Sequence, residues 1–211
     1  MRKTLNTIYK TYCKYIAISI LNNLYILLKI SLIMTNPWHD VSYGDKSPEI
    51  IDIIIEIPKG SSVKYEIDKD TGLLRLDRVL YSAVHYPGDY GFMPQTLWDD
   101  GDPLDVIVIS SHPVYPMTIA SVRPIGVIHM EDGGEGDDKI IAVYHDDPKY
   151  KDYKDLNDAS SHVIDEITHF FETYKLLQKK SVKILSTEGA EAAKEAVLKA
   201  IKLYKDKYSK N

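Results

Sequence analysis

The sequence predicts an α+β protein, mainly β, in which a small antiparallel barrel carries helices packed on its outside. Three observations predict it. Residues 50–145 break into short apolar runs with period-2 alternation, separated by turn residues. After residue 160 the spacing of apolar residues changes to three and four. No internal repeat or low-complexity stretch interrupts either half. Many short strands followed by two helices favour a closed sheet with helices against it.

Each element has its own warrant. Ile51, Ile53, Ile55 and Ile57 alternate with Asp52, Ile54 and Glu56, and Pro58 ends the run. Val63–Ile67 alternates again, with Lys64 and Glu66 on one face. Asp70-Thr71-Gly72 signals a turn. Further strands are expected over Leu73–Leu80, Val106–Ser110, Thr118–Val122, Ile125–Met130 and Ile140–Tyr144. A first helix carries Val163, Ile164, Ile167, Phe170, Phe171 and Tyr174 on one stripe, with Asn157 or Asp158 as its cap. A second carries Ala190, Ala193, Val197, Ile201 and Tyr204.

The chain has 211 residues, enough for one domain with a sizeable core. Its net charge of −5 is unevenly spread. Residues 1–33 hold Arg2, Lys3, Lys10, Lys14 and Lys29 and no acid, which leaves −10 on the remainder. An acidic domain is a poor general binder of nucleic acid, whose backbone needs neutralising cations. The only cysteine, Cys13, lies in the basic segment, so the domain after it has neither a disulfide nor a thiolate metal site. That fits a reducing, cytoplasmic setting.

Residues 1–33 also lack Gly and Pro, and the apolar run Tyr15–Leu28 is broken by Asn22 and Asn23. Three readings stay open: a segment upstream of a working start at Met34, an uncleaved anchor or organelle-type leader, and a cleaved signal. The first is favoured, because no cleavage site stands near the end of the run and a well-formed domain opens at Asn36, Pro37 and Trp38. The expected division is therefore an extension, 1–33, and a domain, 34–211, which itself needs no membrane.

Two acidic runs carry the chemistry. Asp99, Asp100, Asp102 and Asp105 crowd the turn before the apolar strand Val106–Ile109. Glu131, Asp132, Glu135, Asp137 and Asp138 crowd a second turn, closed by Lys139. Taken alone, each run reads equally well as a solvated turn. Position favours a site: Asp105 begins a strand, and carboxylates at a strand end are held by the scaffold. Carboxylates this dense need cations or solvent to remain ionised. No calcium loop of the EF-hand type and no HExxH zinc motif is present, and the seven histidines are scattered. Oxygen-only ligands favour Mg²⁺, with Mn²⁺ or another divalent ion as substitutes, and several such ions would attract a polyanion. Lys64, Arg78, Lys139 and Lys175, with Tyr86, Tyr90 and Tyr174, are candidate phosphate holders. Singly, each reads more readily as a surface or packing residue. On these grounds the sequence points to multi-metal phosphoryl transfer.

A set of ordered blocks goes further. Ile55-Glu56-Ile57-Pro58, Lys64-Tyr65-Glu66, Leu76-Asp77-Arg78 and Tyr86-Pro87-Gly88-Asp89-Tyr90-Gly91 come first. Asp100-Gly101-Asp102-Pro103-Leu104-Asp105, Arg123-Pro124-Ile125-Gly126, Asp132 through Lys139 and Phe170-Phe171-Glu172-Thr173-Tyr174-Lys175 follow. With them, residues 36–206 resemble the soluble family I inorganic pyrophosphatases, especially the archaeal and bacterial ones, and DGDPxD is that family's signature. The resemblance implies a five-stranded OB-type barrel with two main C-terminal helices outside. It implies hydrolysis of pyrophosphate to two orthophosphates, which drives pyrophosphate-releasing biosynthesis. It implies several Mg²⁺ ions per site and a homo-oligomer, a homohexamer in prokaryotic relatives.

Residue by residue, the resemblance makes Asp100, Asp105 and Asp137 ligands of a first metal, with Asp105 shared with a second. Asp132 and Asp137 become ligands of ions that arrive with substrate. Asp102 resembles the acceptor of a proton from the nucleophilic water, bridged between two ions. Lys64, Arg78, Tyr90, Tyr174 and Lys175 resemble the phosphate holders, with Lys139 beside them. Glu56 and Glu66 line the site, and Tyr86 stands behind them. Departures are small: Asp89 stands where several relatives carry Asn, and the Asp132–Asp137 loop is rich in Gly and acid. Two rival functions remain at this level. One is another metal-dependent phosphohydrolase acting on nucleotides. The other is an OB-type nucleic-acid module, which the acidic balance opposes.

Overall fold

A computed structural model of the chain describes residues 14–16, 18–21, 36–69 and 71–208. It divides into two units, Met1–Thr35 and Asn36–Asn211. In the first, the described residues are helical and exposed; most of the run expected as an anchor lies outside them. Among the described residues, no helix is long and apolar enough to cross a membrane.

The second unit opens on a single helical turn, α1 (Pro37–Asp40), and continues through β1 (Ile51–Ile57), β2 (Val63–Ile67), β3 (Leu74–Val79), β4 (Asp89–Phe92) and β5 (Asp105–Ile109). Then come β6 (Ile119–Asp132), β7 (Glu135–Gly136), β8 (Lys139–Tyr144), α2 (Ser161–Thr173), β9 (Val182–Gly189) and α3 (Ala190–Tyr208). Pairing runs β1-β4-β5-β8-β6, and β6 pairs back onto β1, so five strands close a ring. Closure removes the free edges of those strands. β9 and β7 extend β6, while β2 and β3 form a separate hairpin.

One junction departs from the antiparallel expectation: β5 and β8 run parallel, with Asp105 opposite Lys139. The long strand β6, which follows β5 in the chain, runs the opposite way along the far side of β8, so β8 returns in the direction of β5. The two strands expected at Thr118–Val122 and Ile125–Met130 are this one strand, bent at a register irregularity between Pro124 and Gly126. Proline donates no ladder hydrogen bond and suits such a bulge.

β1 is buried at every position but Asp52, which is half-buried, so its polar alternation is weaker than a one-sided strand would show. Its two faces meet different neighbours. Ile51, Ile53 and Ile55 join a core with Val106, Val108 and the α3 residues Ala193, Val197 and Ile201. Ile54 packs with Trp38, Phe92, Leu97 and Tyr204. β5 divides likewise: Ile107 and Ile109 lie with Ile167, Phe170, Phe171 and Tyr174 of the α2 region.

Both expected helices are present. The cap of α2 is Ser160, with no side-chain bond; Asn157 and Asp158 belong instead to a separate 3₁₀ turn, Leu156–Asp158, capped by Asp155. Three strands were hidden in the sequence. β4 begins inside Tyr-Pro-Gly-Asp-Tyr-Gly, which reads as a turn, and ends one residue past it at Phe92. It exists because Gly91 sits against β1, where a Cβ would come within 1.9 Å of the Ile54 carbonyl oxygen. β7 has two residues, and β9 is polar and largely exposed.

Candidate active site

The barrel rim with the turn that holds Asp100, Asp102 and Pro103 supplies one wall of a cleft of about 250 Å³, and β2 with Lys69, Trp38 and the end of α2 supplies the rest. Asp105 stands at the first position of β5, and Lys139 at the first position of β8, directly across the parallel pair. The Lys139 ammonium is almost fully buried and donates to Asp105 Oδ2 at 2.6 Å and to the Asp137 carboxylate. Asp105 Oδ2 also accepts from the Tyr90 hydroxyl at 2.5 Å. Burial works against the Lys139 charge, yet Asp105 and Asp137 outweigh it and its pKa rises. Asp137 is pushed up to about 6, chiefly by burial, with Lys139 opposing and Asp105 reinforcing the shift. Burial also raises Asp100, whose Oδ1 accepts from the Asp102 amide at 3.0 Å.

Other cations are similarly engaged. Lys175, two residues past α2, pairs with Asp132; burial lowers its pKa, Asp132 opposes this, and Lys64 and Arg78 add to it. Lys64 pairs with Glu66 and lies 3.5 Å from Asp77. Arg78 donates from Nε to Asp77 at 2.9 Å and from a terminal nitrogen to Gln178 Oε1 at 3.0 Å. The hydroxyls of Tyr86, Tyr90 and Tyr174 are held well above their ordinary pKa by burial, so they stay protonated and can donate hydrogen bonds.

Glu56 explains its own polar place in an apolar strand. Its Oε1 accepts the Ile67 amide at 2.7 Å, which ties the hairpin to β1. Burial pushes its carboxyl up to about 8, against an ordinary 4.5. In the folded protein Glu56 keeps its proton to about pH 8, whereas the unfolded chain releases it above 4.5. Folding therefore takes up a proton in that window, and Glu56 costs stability progressively as pH rises through it. Glu56→Gln, which keeps the acceptor, is expected to remove this slope and to gain about 1–3 kcal/mol over wild type at pH 8 relative to pH 4. Parallel urea denaturation of both proteins from pH 4 to 8 checks it; equal slopes would discard the buried-acid account.

Of the residues singled out in the sequence, Glu56, Lys64, Glu66, Tyr86, Tyr90, Asp100, Asp102, Asp105, Asp132, Asp137, Lys139, Tyr174 and Lys175 all line this cleft. Arg78 does not line it and lies behind its wall, on Gln178 and Asp77. The carboxylates share the cleft, but among the described residues no three His, Cys, Asp or Glu side chains converge on one point. Lysines stand between them, as like charges at close range require. Asp89 is fully buried away from the cleft, where it accepts from the Lys59 and Val114 amides and the Tyr144 hydroxyl.

Sequence reasoning missed Trp38 and Lys69. Both line the cleft, Lys69 pairs with Asp102, and its ammonium lies 5.0 Å over the Trp38 ring. Lys69 offered a signal, since it follows Lys64-Tyr65-Glu66 at the strand end. Trp38 offered none, because its indole is held by the Thr96 carbonyl far along the chain.

Comparison with known proteins fits this geometry. Residues 53–205 match the family model described as inorganic pyrophosphatase. Among curated relatives, soluble inorganic pyrophosphatase 2 of Chlamydomonas reinhardtii is 49% identical over 174 residues, covering 82% of this chain and 91% of the relative. Soluble inorganic pyrophosphatase 1 of Arabidopsis thaliana is 48% identical over 172 residues, 82% of this chain and 81% of the relative. Among solved structures, the inorganic pyrophosphatase of Thermus thermophilus superposes with a TM-score of 0.78 at 45% identity, covering 81% of this chain and 99% of that one. The enzyme of Helicobacter pylori gives 0.74 at 43%, over 78% and 97%.

Proposed function

The chain belongs to the inorganic pyrophosphatase family and hydrolyses inorganic pyrophosphate to two phosphates; from that premise we propose how its cleft does so. The observation that carries the reading is the pairing at the barrel rim, where Asp105, Asp137, Lys139 and Tyr90 meet in one cluster beside Asp100 and Asp132.

Divalent cations suit this wall by its donor chemistry. Every candidate ligand is a carboxylate oxygen, a hard donor, and Asp105, Asp132 and Asp137 each have a lysine ammonium beside them. Asp100, Asp105, Asp132 and Asp137 would hold several Mg²⁺ ions, with Mn²⁺ able to substitute. Bound there, such ions supply Lewis-acid chemistry that activates water at neutral pH and offsets phosphate charge.

The chain's own groups do the rest. Asp102 is half-exposed at the cleft mouth, where one of its oxygens accepts a proton from the attacking water. Lys64 and Lys175, on the cleft wall, hold phosphate oxygens, with Arg78 behind the wall as a third candidate, and Lys139 keeps the Asp105–Asp137 pair in place. The phenol of Tyr174 donates a hydrogen bond to charge that develops on the transferred group, and that of Tyr90 can do so only by leaving Asp105. Glu56, Glu66 and Tyr86 shape the wall.

The working domain is read as residues 34–211, with 1–33 outside it, either upstream of the native start or a leader. The protein acts in the cytoplasm, where pyrophosphate removal drives biosynthesis. It acts as a homo-oligomer, for which the homohexamer is the preferred form. Exposed Leu76, Val79, Tyr81, Leu176 and Leu177 support association.

The test is phosphate release by the full chain and by residues 34–211, on pyrophosphate, ATP and tripolyphosphate, with and without Mg²⁺. Release from pyrophosphate that needs Mg²⁺ is expected. A preference for ATP would replace this reading with a nucleotide phosphohydrolase.

A further inference from the structure

Arg78 presents a problem of placement. It sits on the β2–β3 hairpin, outside the closed barrel, whereas Tyr174 and Lys175 stand at the end of α2, far along the chain. Three cations, Lys64, Arg78 and Lys175, nevertheless lie close enough to act on one another's charge. Mutual repulsion would swing a long guanidinium away unless something fixes it.

One residue spans the gap. Gln178 ends the 3₁₀ turn Leu176–Gln178, which follows Lys175 without a break, and its amide donates to the Lys175 carbonyl at 2.9 Å. Lys179, in the left-handed region at φ 57°, closes the turn. From this rigid base the Gln178 Oε1 accepts from Arg78 at 3.0 Å. Its Nε2 is buried and finds no acceptor among the described residues. Turning the amide over would set donor against donor, so the Arg78 bond alone orients the group, and the nitrogen is left unpaired to keep it.

We propose that Gln178 is a positioning residue for substrate phosphate, whose side-chain oxygen holds the Arg78 guanidinium in step with Tyr174 and Lys175. It touches Arg78 and not the reacting atoms. Asp77 fixes the guanidinium at Nε, and Gln178 fixes a terminal nitrogen. The remaining N–H groups are then set for phosphate oxygens. This rests on Arg78 and Lys175 being phosphate holders.

Three variants test it: Gln178→Leu, which keeps the bulk and removes the acceptor, Gln178→Glu, which keeps an acceptor, and Gln178→Leu in an Arg78→Ala background. Loss of a hydrogen bond to a charged group is expected to raise KM for pyrophosphate by about tenfold in Gln178→Leu, with kcat within about threefold. Gln178→Glu is expected to bring KM back to within about threefold of wild type, and Gln178→Leu to add nothing once Arg78 is gone. A packing role would give the reverse order, since Leu fills the space and Glu buries a charge. Wild-type KM in Gln178→Leu, or additive effects with Arg78→Ala, overturns the proposal. Pyrophosphate affinity measured by calorimetry runs beside the kinetics. If Arg78→Ala alone leaves both KM and affinity unchanged, the phosphate-holder reading itself fails, and the positioning role with it. If Arg78→Ala weakens binding and Gln178→Leu does not, only the positioning role is lost.

Discussion

Asp105→Asn is expected to lower phosphate release from pyrophosphate by about a thousandfold, equivalent to about 4 kcal/mol of transition-state stabilisation. The carboxylate stands at a crossing of three contacts: the Lys139 ammonium, the Tyr90 hydroxyl and the open cleft where cations and substrate meet. Asparagine preserves shape and one acceptor oxygen but carries no charge. It should fold, because Asp137 still neutralises Lys139. Divalent-ion binding, followed by calorimetry, should weaken in the same variant. Near-normal turnover in Asp105→Asn would remove the rim cluster from the chemistry.

Lys139→Met is the second large effect, and it falls on stability first. Lys139 is 2% exposed, and two carboxylates face it. Removing one partner of a buried charge cluster leaves the others uncompensated, at a cost of about 3–5 kcal/mol. The loss should be read by urea denaturation with chelator present at pH 8. It should shrink at pH 5, because Asp137, already pushed up to about 6, then carries a proton. Added Mg²⁺ should restore part of it by binding the folded form. A loss under about 1 kcal/mol at pH 8 would mean that Lys139 does not hold the pair together.

Much of this was legible in the residues. The two acidic runs, the strand that begins at Asp105 and the stripe from Val163 to Tyr174 are local patterns, and local patterns survive without coordinates. The parallel pairing of β5 with β8 is not local: the chain reverses before and after β6, and β8 comes back to lie beside β5. The strand at Asp89–Phe92 was concealed because it opens on a Pro-Gly-Asp turn signal and holds Gly91, and only the approach of Ile54 to Gly91 explains it. Arg78 was legible as a phosphate-binding type but not in its placement, since Gln178, far along the chain, decides where the guanidinium goes. The pairing of Asp132 with a lysine also needed three dimensions, because Lys175 and Asp132 are brought together only by the fold.

The facing positions of Asp105 and Lys139 have a consequence for how the chain finds its fold. Suppose β8 paired one step out of place. In one direction Asp138 would stand opposite Asp105, acid against acid; in the other, Ile140 would turn an apolar side chain into a polar cleft. Ladder hydrogen bonds alone discriminate weakly between such alignments, whereas this charge pair rejects both. The same two residues that furnish the rim thus act as a proofreading mark for the sheet.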